Sequence, residues 1–202
     1  MIYKLVCASC DSFSNLYKKD ENEIIIAVDG GYDILKKNNL KVNYFFGDKD
    51  SFKDNEILSE CIYEYNPIKD ESDFDLVINY LINELKISHD ECIYVYNATG
   101  GRLDHYQAII NTIVKNNDYK IIIFDECNCI FVSDYKMSIP KNDYKYISFF
   151  SLNDDTMISL SGMKYNIENY NLKLKDNLCL SNEILDEANI SVTNKVLVFL
   201  SK

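Results

Sequence analysis

Short apolar runs alternate with helical patterns through the first 125 residues of the chain. The runs Ile2 to Cys7, Ile24 to Val28, Tyr44 to Phe46, Cys61 to Tyr65, Cys92 to Tyr96 and Lys120 to Phe124 read as buried strands. Between them Phe74, Val77, Ile78, Leu81, Ile82 and Leu85 recur at helical spacing and predict the clearest helix. Leu103, Tyr106, Ile110, Ile113 and Val114 predict a second. Strands alternating with helices are the pattern of a parallel sheet with crossover connections. After about residue 127 the character changes. The runs Cys129 to Val132, Tyr146 to Phe150, Met157 to Leu160, Leu172 to Leu174, Leu178 to Leu180 and Val196 to Leu200 are separated by polar turns and predict an antiparallel β domain. The expected fold is α/β followed by all-β.

Composition narrows the class without changing the fold. With 202 residues, 47% apolar and 26% charged, the chain can bury one large core or two small ones. It carries two prolines and no low-complexity linker, so the domain junction is short. The run Met1 to Cys10 meets polar residues before a signal-like apolar core forms, and no run approaches the roughly 18 apolar residues of a membrane span. A cytoplasmic protein without membrane contact is expected. Seven cysteines, an odd number, are read as reduced thiols. Cys7, Cys10, Cys127 and Cys129 have the residue types of a four-thiolate zinc site, but the first pair follows a strand and lacks flanking glycine or histidine, which argues against structural zinc or redox chemistry. The net charge of −11 argues against sequence-independent binding to long nucleic acid, which needs a basic stripe, and no nucleic-acid partner is expected. A nucleotide is compatible with it, because magnesium accompanies the phosphates and carboxylates hold magnesium.

Four segments concentrate candidate chemistry, and each begins where a predicted strand ends, the place where open α/β sheets form ligand crevices. Asp29-Gly30-Gly31 puts an acid and two glycines before a short helix. Gly47-Asp48-Lys49-Asp50-Ser51 carries two aspartates whose side chains share one side if the segment stays extended, a pair able to bind a divalent cation. In Lys69-Asp70-Glu71-Ser72-Asp73-Phe74-Asp75, Ser72 and Asp75 have capping spacing, while Asp70 and Asp73 can project toward the ligand edge. The fourth segment, Thr99-Gly100-Gly101-Arg102-Leu103-Asp104-His105, holds the only arginine of the chain. A glycine-rich helix start attracts anions, and the arginine fork adds bidentate bonds to phosphate oxygens. Asp104 and His105 stand beside it to position metal or a hydroxyl. No Gly-x-x-x-x-Gly-Lys-Ser/Thr loop and no Gly-x-Gly-x-x-Gly run occurs, which excludes P-loop, dinucleotide-binding and protein-kinase origins for this set.

In this order the segments resemble the motifs of the thiamine pyrophosphokinase family, and Ser181-Asn182-Glu183 is similar to a further motif of its C-terminal domain. The resemblance implies transfer of the pyrophosphoryl group of ATP to thiamine, giving thiamine diphosphate and AMP with Mg2+ as cofactor. It implies a Rossmann-like, mostly parallel nucleotide-binding catalytic domain at 1–127 and a thiamine-binding, dimerising β-sandwich at 128–202, in a homodimer. By the same resemblance Asp48, Asp50 and Asp73 hold magnesium and the triphosphate, with Asp70 nearby. Asp29, Gly30, Gly31, Ser72, Gly100, Gly101 and His105 build the nucleotide site, and Arg102 and Asp104 line the transfer site. Ser181 and Asn182 reach thiamine.

The chain departs from the family pattern in Ser72 for threonine, in Lys49 at a variable position and in Ile109 where asparagine is frequent. It also has no tryptophan to stack on the thiamine ring, so a tyrosine or phenylalanine is expected there. Two other readings compete. One is a diphosphokinase for another small alcohol such as a hydroxymethyl pterin, with the same nucleotide half. The other is a non-catalytic sensor of a nucleotide or thiamine diphosphate, which would need fewer metal ligands.

Overall fold

Strands that are apolar on both faces must be covered on both sides, and the first 126 residues build such a sheet. The computed structural model describes residues 1–10, 12–47, 59–64 and 71–202, with the backbone alone at 59–62 and 64. The chain divides into two units, Met1–Glu126 and Cys127–Lys202.

In the first unit, β1 (Ile2–Val6), β2 (Glu23–Val28), β3 (Val42–Gly47), β4 (Ser59–Glu64), β5 (Cys92–Tyr96) and β6 (Lys120–Phe124) pair in the order β4-β3-β2-β1-β5-β6. All five pairings are parallel. The strands run outward from β1 to β4, and the chain then returns to place β5 on the other side of β1. That reversal makes the carboxyl ends of β1 and β5 a topological switch point. Leu5, Ile26, Phe45, Phe46, Ile93 and Ile123 are fully buried, each contributing on the order of 2 kcal/mol of transfer free energy.

The helices are α1 (Phe13–Leu16), α2 (Gly31–Lys37), α3 (Asp73–Asn83) and α4 (Leu103–Lys115). The predicted 3.6-residue pattern is realised in α3, which buries Phe74, Val77, Ile78 and Leu81. In α4 the buried residues are Ile109, Ile110, Thr112 and Ile113, while Leu103 is exposed. At the head of α2, a Cβ on Gly31 would lie 1.8 Å from the Val6 carbonyl oxygen, so only glycine lets this helix start against the end of β1.

One core group was not legible in the pattern. Lys4, in the middle of β1, is buried and pairs with Asp20 and Glu23, each at 2.6 Å. Its Nζ also donates to the Lys18 carbonyl, and the Tyr17 hydroxyl donates to Glu23 at 2.5 Å. Because a buried ammonium is tolerated only when paired, this cluster ties the connection between α1 and β2 to the central strand.

In the second unit, β7 (Asn128–Val132), β13 (Val196–Ser201) and β9 (Tyr146–Ser151) form an antiparallel sheet with β13 central. The strands β8 (Lys136–Pro140), β10 (Thr156–Met163), β11 (Ile167–Leu172) and β12 (Ile184–Val192) form a second antiparallel sheet, ordered β11-β10-β12-β8. Alternation buries Ile158 and Leu160 of β10 and Ala188, Ile190 and Val192 of β12. The fold class is as expected, an α/β unit followed by an antiparallel β-sandwich, but individual strands differ. Leu178 to Leu180 lies in turns, and Leu172 to Leu174 only touches the end of β11. Neither β8 nor β12 was predicted. Their solvent faces carry lysine, serine, acids and asparagine, which dilute the apolar signal of a half-buried strand. No helix among the described residues is long and apolar enough to cross a membrane.

Candidate active site

The strands at the switch point end level with one another, Val6 pairing with Ala27 of β2 and Tyr96 of β5. The loops leaving them open into a cleft of about 600 Å³. One wall is Cys7, Ala8 and Ser9 after β1 with Val28 and Asp29 at the end of β2. Another is Glu71 to Phe74 at the head of α3, and the third is Gly101, Arg102, His105, Ala108 and Ile109 at the head of α4. Three of the four predicted segments therefore converge. Gly30, Gly31 and Gly100 shape the turns behind this lining: Gly30 caps α2 and Gly100 has φ 85°.

Asp29 is held by backbone rather than by chance. Its φ of 49° is left-handed, and its N–H donates to the Phe46 carbonyl at 2.8 Å. A Cβ on Gly47 would lie 2.5 Å from the Asp29 Oδ1, so β3 ends directly beside this carboxylate. Across the cleft, Ser72 caps α3 by accepting from the Asp75 N–H at 3.2 Å. Asp75 also accepts from the Thr112 hydroxyl at 2.5 Å, which fixes α3 against α4. Asp75 is thus consumed by structure, while half-buried Asp73 lines the cleft.

Arg102 is the N-cap residue of α4, and its guanidinium turns back onto Asp104. Nη2 lies 2.6 Å from Oδ2 and Nε lies 3.1 Å from Oδ1. Hydrogen bonding from this fork lowers the Asp104 carboxyl to about 2 and raises the guanidinium in turn. Asp104 meets the cleft through Arg102 and through the His105 N–H, which donates to its Oδ1 at 3.0 Å. His105, one residue on, is exposed and lines the cleft directly.

Asp48, Asp50 and Asp70 lie outside the described residues. The residues present bring oxygen donors from Asp29, Glu71 and Asp73 to one cleft, the chemistry a hard divalent cation takes. Among the described residues no three acids, histidines or cysteines converge as a metal site. Burial, with Asp29 and Cys10 adding to it, pushes the Cys7 thiol up to about 12. It is a neutral packing group at the cleft floor.

The thiamin pyrophosphokinase catalytic domain matches residues 16–124, and the vitamin B1 binding domain of the same enzymes matches residues 134–197. The chain belongs to the thiamin pyrophosphokinase family. It is accordingly a diphosphotransferase of the thiamine diphosphokinase type. The thiamine pyrophosphokinase of Bacillus subtilis (strain 168) is 29% identical over 177 residues, covering 82% of this chain and 80% of that protein. The fold is shared with the crystal structure of thiamine pyrophosphokinase from Bacillus subtilis, with a TM-score of 0.85 at 24% identity over 100% of this chain and 99% of the other. The yeast thiamin pyrophosphokinase structure has a TM-score of 0.77 at 12% identity, covering 99% of this chain and 85% of the other.

In the unit matching the vitamin B1 binding domain, Ser181 and Asn182 have different characters. Ser181 is exposed with φ 57°. Asn182 is buried: its Oδ1 accepts from the N–H groups of Tyr165 and Glu183, and its Nδ2 donates to the Tyr165 carbonyl at 2.7 Å. The Asn182 amide therefore ties the segment that follows Ser181 to the turn at Tyr165. Within the catalytic unit, residue-by-residue reading missed Ala8 and Ser9. Their loop lies against both glycine turns, with the Ser9 Cβ only 3.0 Å from where a Gly101 Cβ would be. Small residues after the first strand were the available signal. Ile109 lines the cleft as an apolar side chain. Phe74 adds a buried aromatic ring to the opposite wall.

Proposed function

We propose that this protein transfers the β,γ-pyrophosphoryl group of magnesium-bound ATP to the primary alcohol of thiamine, releasing thiamine diphosphate and AMP. The observation that carries the reading is the acid-lined cleft at the switch point, with Arg102 at its rim, in a chain that matches both thiamin pyrophosphokinase domains. The thiamine oxygen attacks the β-phosphorus, the bond between that phosphorus and the oxygen bridging to the α-phosphorus breaks, and the electron pair leaves on AMP. The hydroxyl proton passes from the acceptor oxygen to solvent water.

Asp48, Asp50 and Asp73 are assigned to hold magnesium, with Asp70 beside them. Magnesium, when bound, offsets the charge on the triphosphate oxygens. Arg102 grips phosphate oxygens with its fork, leaving Asp104 to return the arginine to place between turnovers. Gly100 and Gly101 let backbone approach the phosphates, and Asp29, Gly30 and Gly31 close the opposite side of the nucleotide. Ser72 holds the head of α3 and His105 borders the transfer site. The carboxylates also favour a cationic acceptor such as the thiazolium of thiamine. Ser181 contributes to the thiamine site, Asn182 supports it, and the working unit is a cytoplasmic homodimer.

Product analysis tests the reading. Purified protein with magnesium, ATP and thiamine releases AMP in step with thiamine diphosphate. Release of ADP instead, or dependence on a pterin alcohol, sinks the assignment.

A further inference from the structure

Where β5 ends, the chain turns through a left-handed residue, Asn97, with φ 56° and a fully buried side chain. Glycine would meet that backbone conformation with less strain. Burying an amide also costs desolvation, and the Nδ2 of Asn97 has no hydrogen-bond partner among the described residues. What the position gains from asparagine is therefore the acceptor. Oδ1 accepts from the Ser12 hydroxyl at 3.1 Å and from the Cys10 thiol at 3.5 Å. The Asn97 carbonyl accepts from the Ser9 N–H at 3.0 Å. One residue thus joins the loop leaving β1 to the loop leaving β5, the two loops that flank the switch point.

The joined parts reach the cleft directly. Ser9 packs against Gly101, and both line the cleft. On the far side of the same turn, the Thr99 hydroxyl donates to Asp125 at 2.6 Å. The turn that carries Arg102 is consequently pinned from two sides, by Asn97 toward β1 and by Thr99 toward the end of β6.

We infer that Asn97 is a positioning residue for polyphosphate binding: by tying the loop after β1 to the turn at 97–101, it sets where Gly100, Gly101 and Arg102 meet the phosphates. This rests on the nucleotide reading of the cleft given above. Asn97 itself touches no reacting atom and acts through the turn.

Asn97→Gly keeps the left-handed backbone and removes the acceptor. The probe is α,β-methylene-ATP with magnesium, in which carbon replaces the bridging oxygen of the bond broken in the reaction, with binding measured by titration calorimetry. Loss of two ordering hydrogen bonds is expected to raise the dissociation constant about tenfold. The thiamine KM stays within about twofold of the native value, since the change is confined to the nucleotide side. Ser12→Ala removes one donor without altering the backbone at residue 97. It is expected to weaken nucleotide binding about threefold and serves if the first variant does not fold. Folded variants that bind the analogue within about twofold of the native protein overturn the inference, and so does a thiamine KM that rises in parallel. If the native protein binds the analogue but makes no AMP from ATP and thiamine, the functional reading fails separately. The ratio of analogue affinities then still decides the role of Asn97.

Discussion

The guanidinium of Arg102 is bidentate on Asp104, with Nη2 to Oδ2 at 2.6 Å and Nε to Oδ1 at 3.1 Å. Both side chains are largely exposed, at 70% and 65%. An exposed ion pair of this kind adds little to stability, so its interest is preorganisation: Asp104 holds the planar fork in place at the cleft rim. A triphosphate, with more charge and more acceptor oxygens than one carboxylate, can take the fork over.

Arg102→Lys keeps the positive charge and removes the fork. We expect kcat/KM for ATP to fall about a hundredfold with the thermal transition unchanged, as for loss of a group aimed at developing charge. Steady-state AMP release checks this. Kinetics close to native would show that Arg102 is not a phosphate clamp.

The pH behaviour of Asp104 has a definite sign. Its carboxyl is depressed to about 2 by the Arg102 fork, so the interaction is fully present above the ordinary aspartate range near pH 4 and is lost as pH falls through about 2. Exposure to solvent screens its effect on stability. Between pH 5 and 9, by this linkage argument, roughly no change in Asp104 ionisation occurs. Asp104→Asn is therefore expected to lower the rate without moving either limb of the pH–rate profile. Loss of an acid limb in that variant would mean that Asp104 itself titrates during turnover.

Asn182 offers the opposite diagnosis in the second unit. Its buried amide makes three hydrogen bonds to the backbone around Tyr165 and Glu183. Asn182→Ala leaves those groups unsatisfied and should cost about 2 to 3 kcal/mol in urea unfolding. A variant of native stability with a raised thiamine KM would instead place the amide on the substrate.

Hydrophobic spacing by itself determined the strands of the parallel sheet, helices α3 and α4, and the change to antiparallel β after about residue 127. These features are local: period, length and turn chemistry all lie within a few residues of one another. The order of motifs pointed to the family as well, through its resemblance to the motifs of thiamin pyrophosphokinases. Strands β8 and β12 escaped because their exposed faces are polar, and a half-buried strand shows only every second residue to the core.

What only the tertiary structure decided was partnership across long separations. Lys4 meeting Glu23 and Asp20, Asp75 meeting Thr112, and Asn97 meeting Ser12 each depend on where the sheet brings distant segments together. Packing gives acids that look alike in sequence different places: Asp75 accepts from Thr112 of α4, and Asp29 and Asp73 line the cleft. The physical reason is that a carboxylate's role follows from the donors and solvent around it, and the sheet order β4-β3-β2-β1-β5-β6 chooses those neighbours.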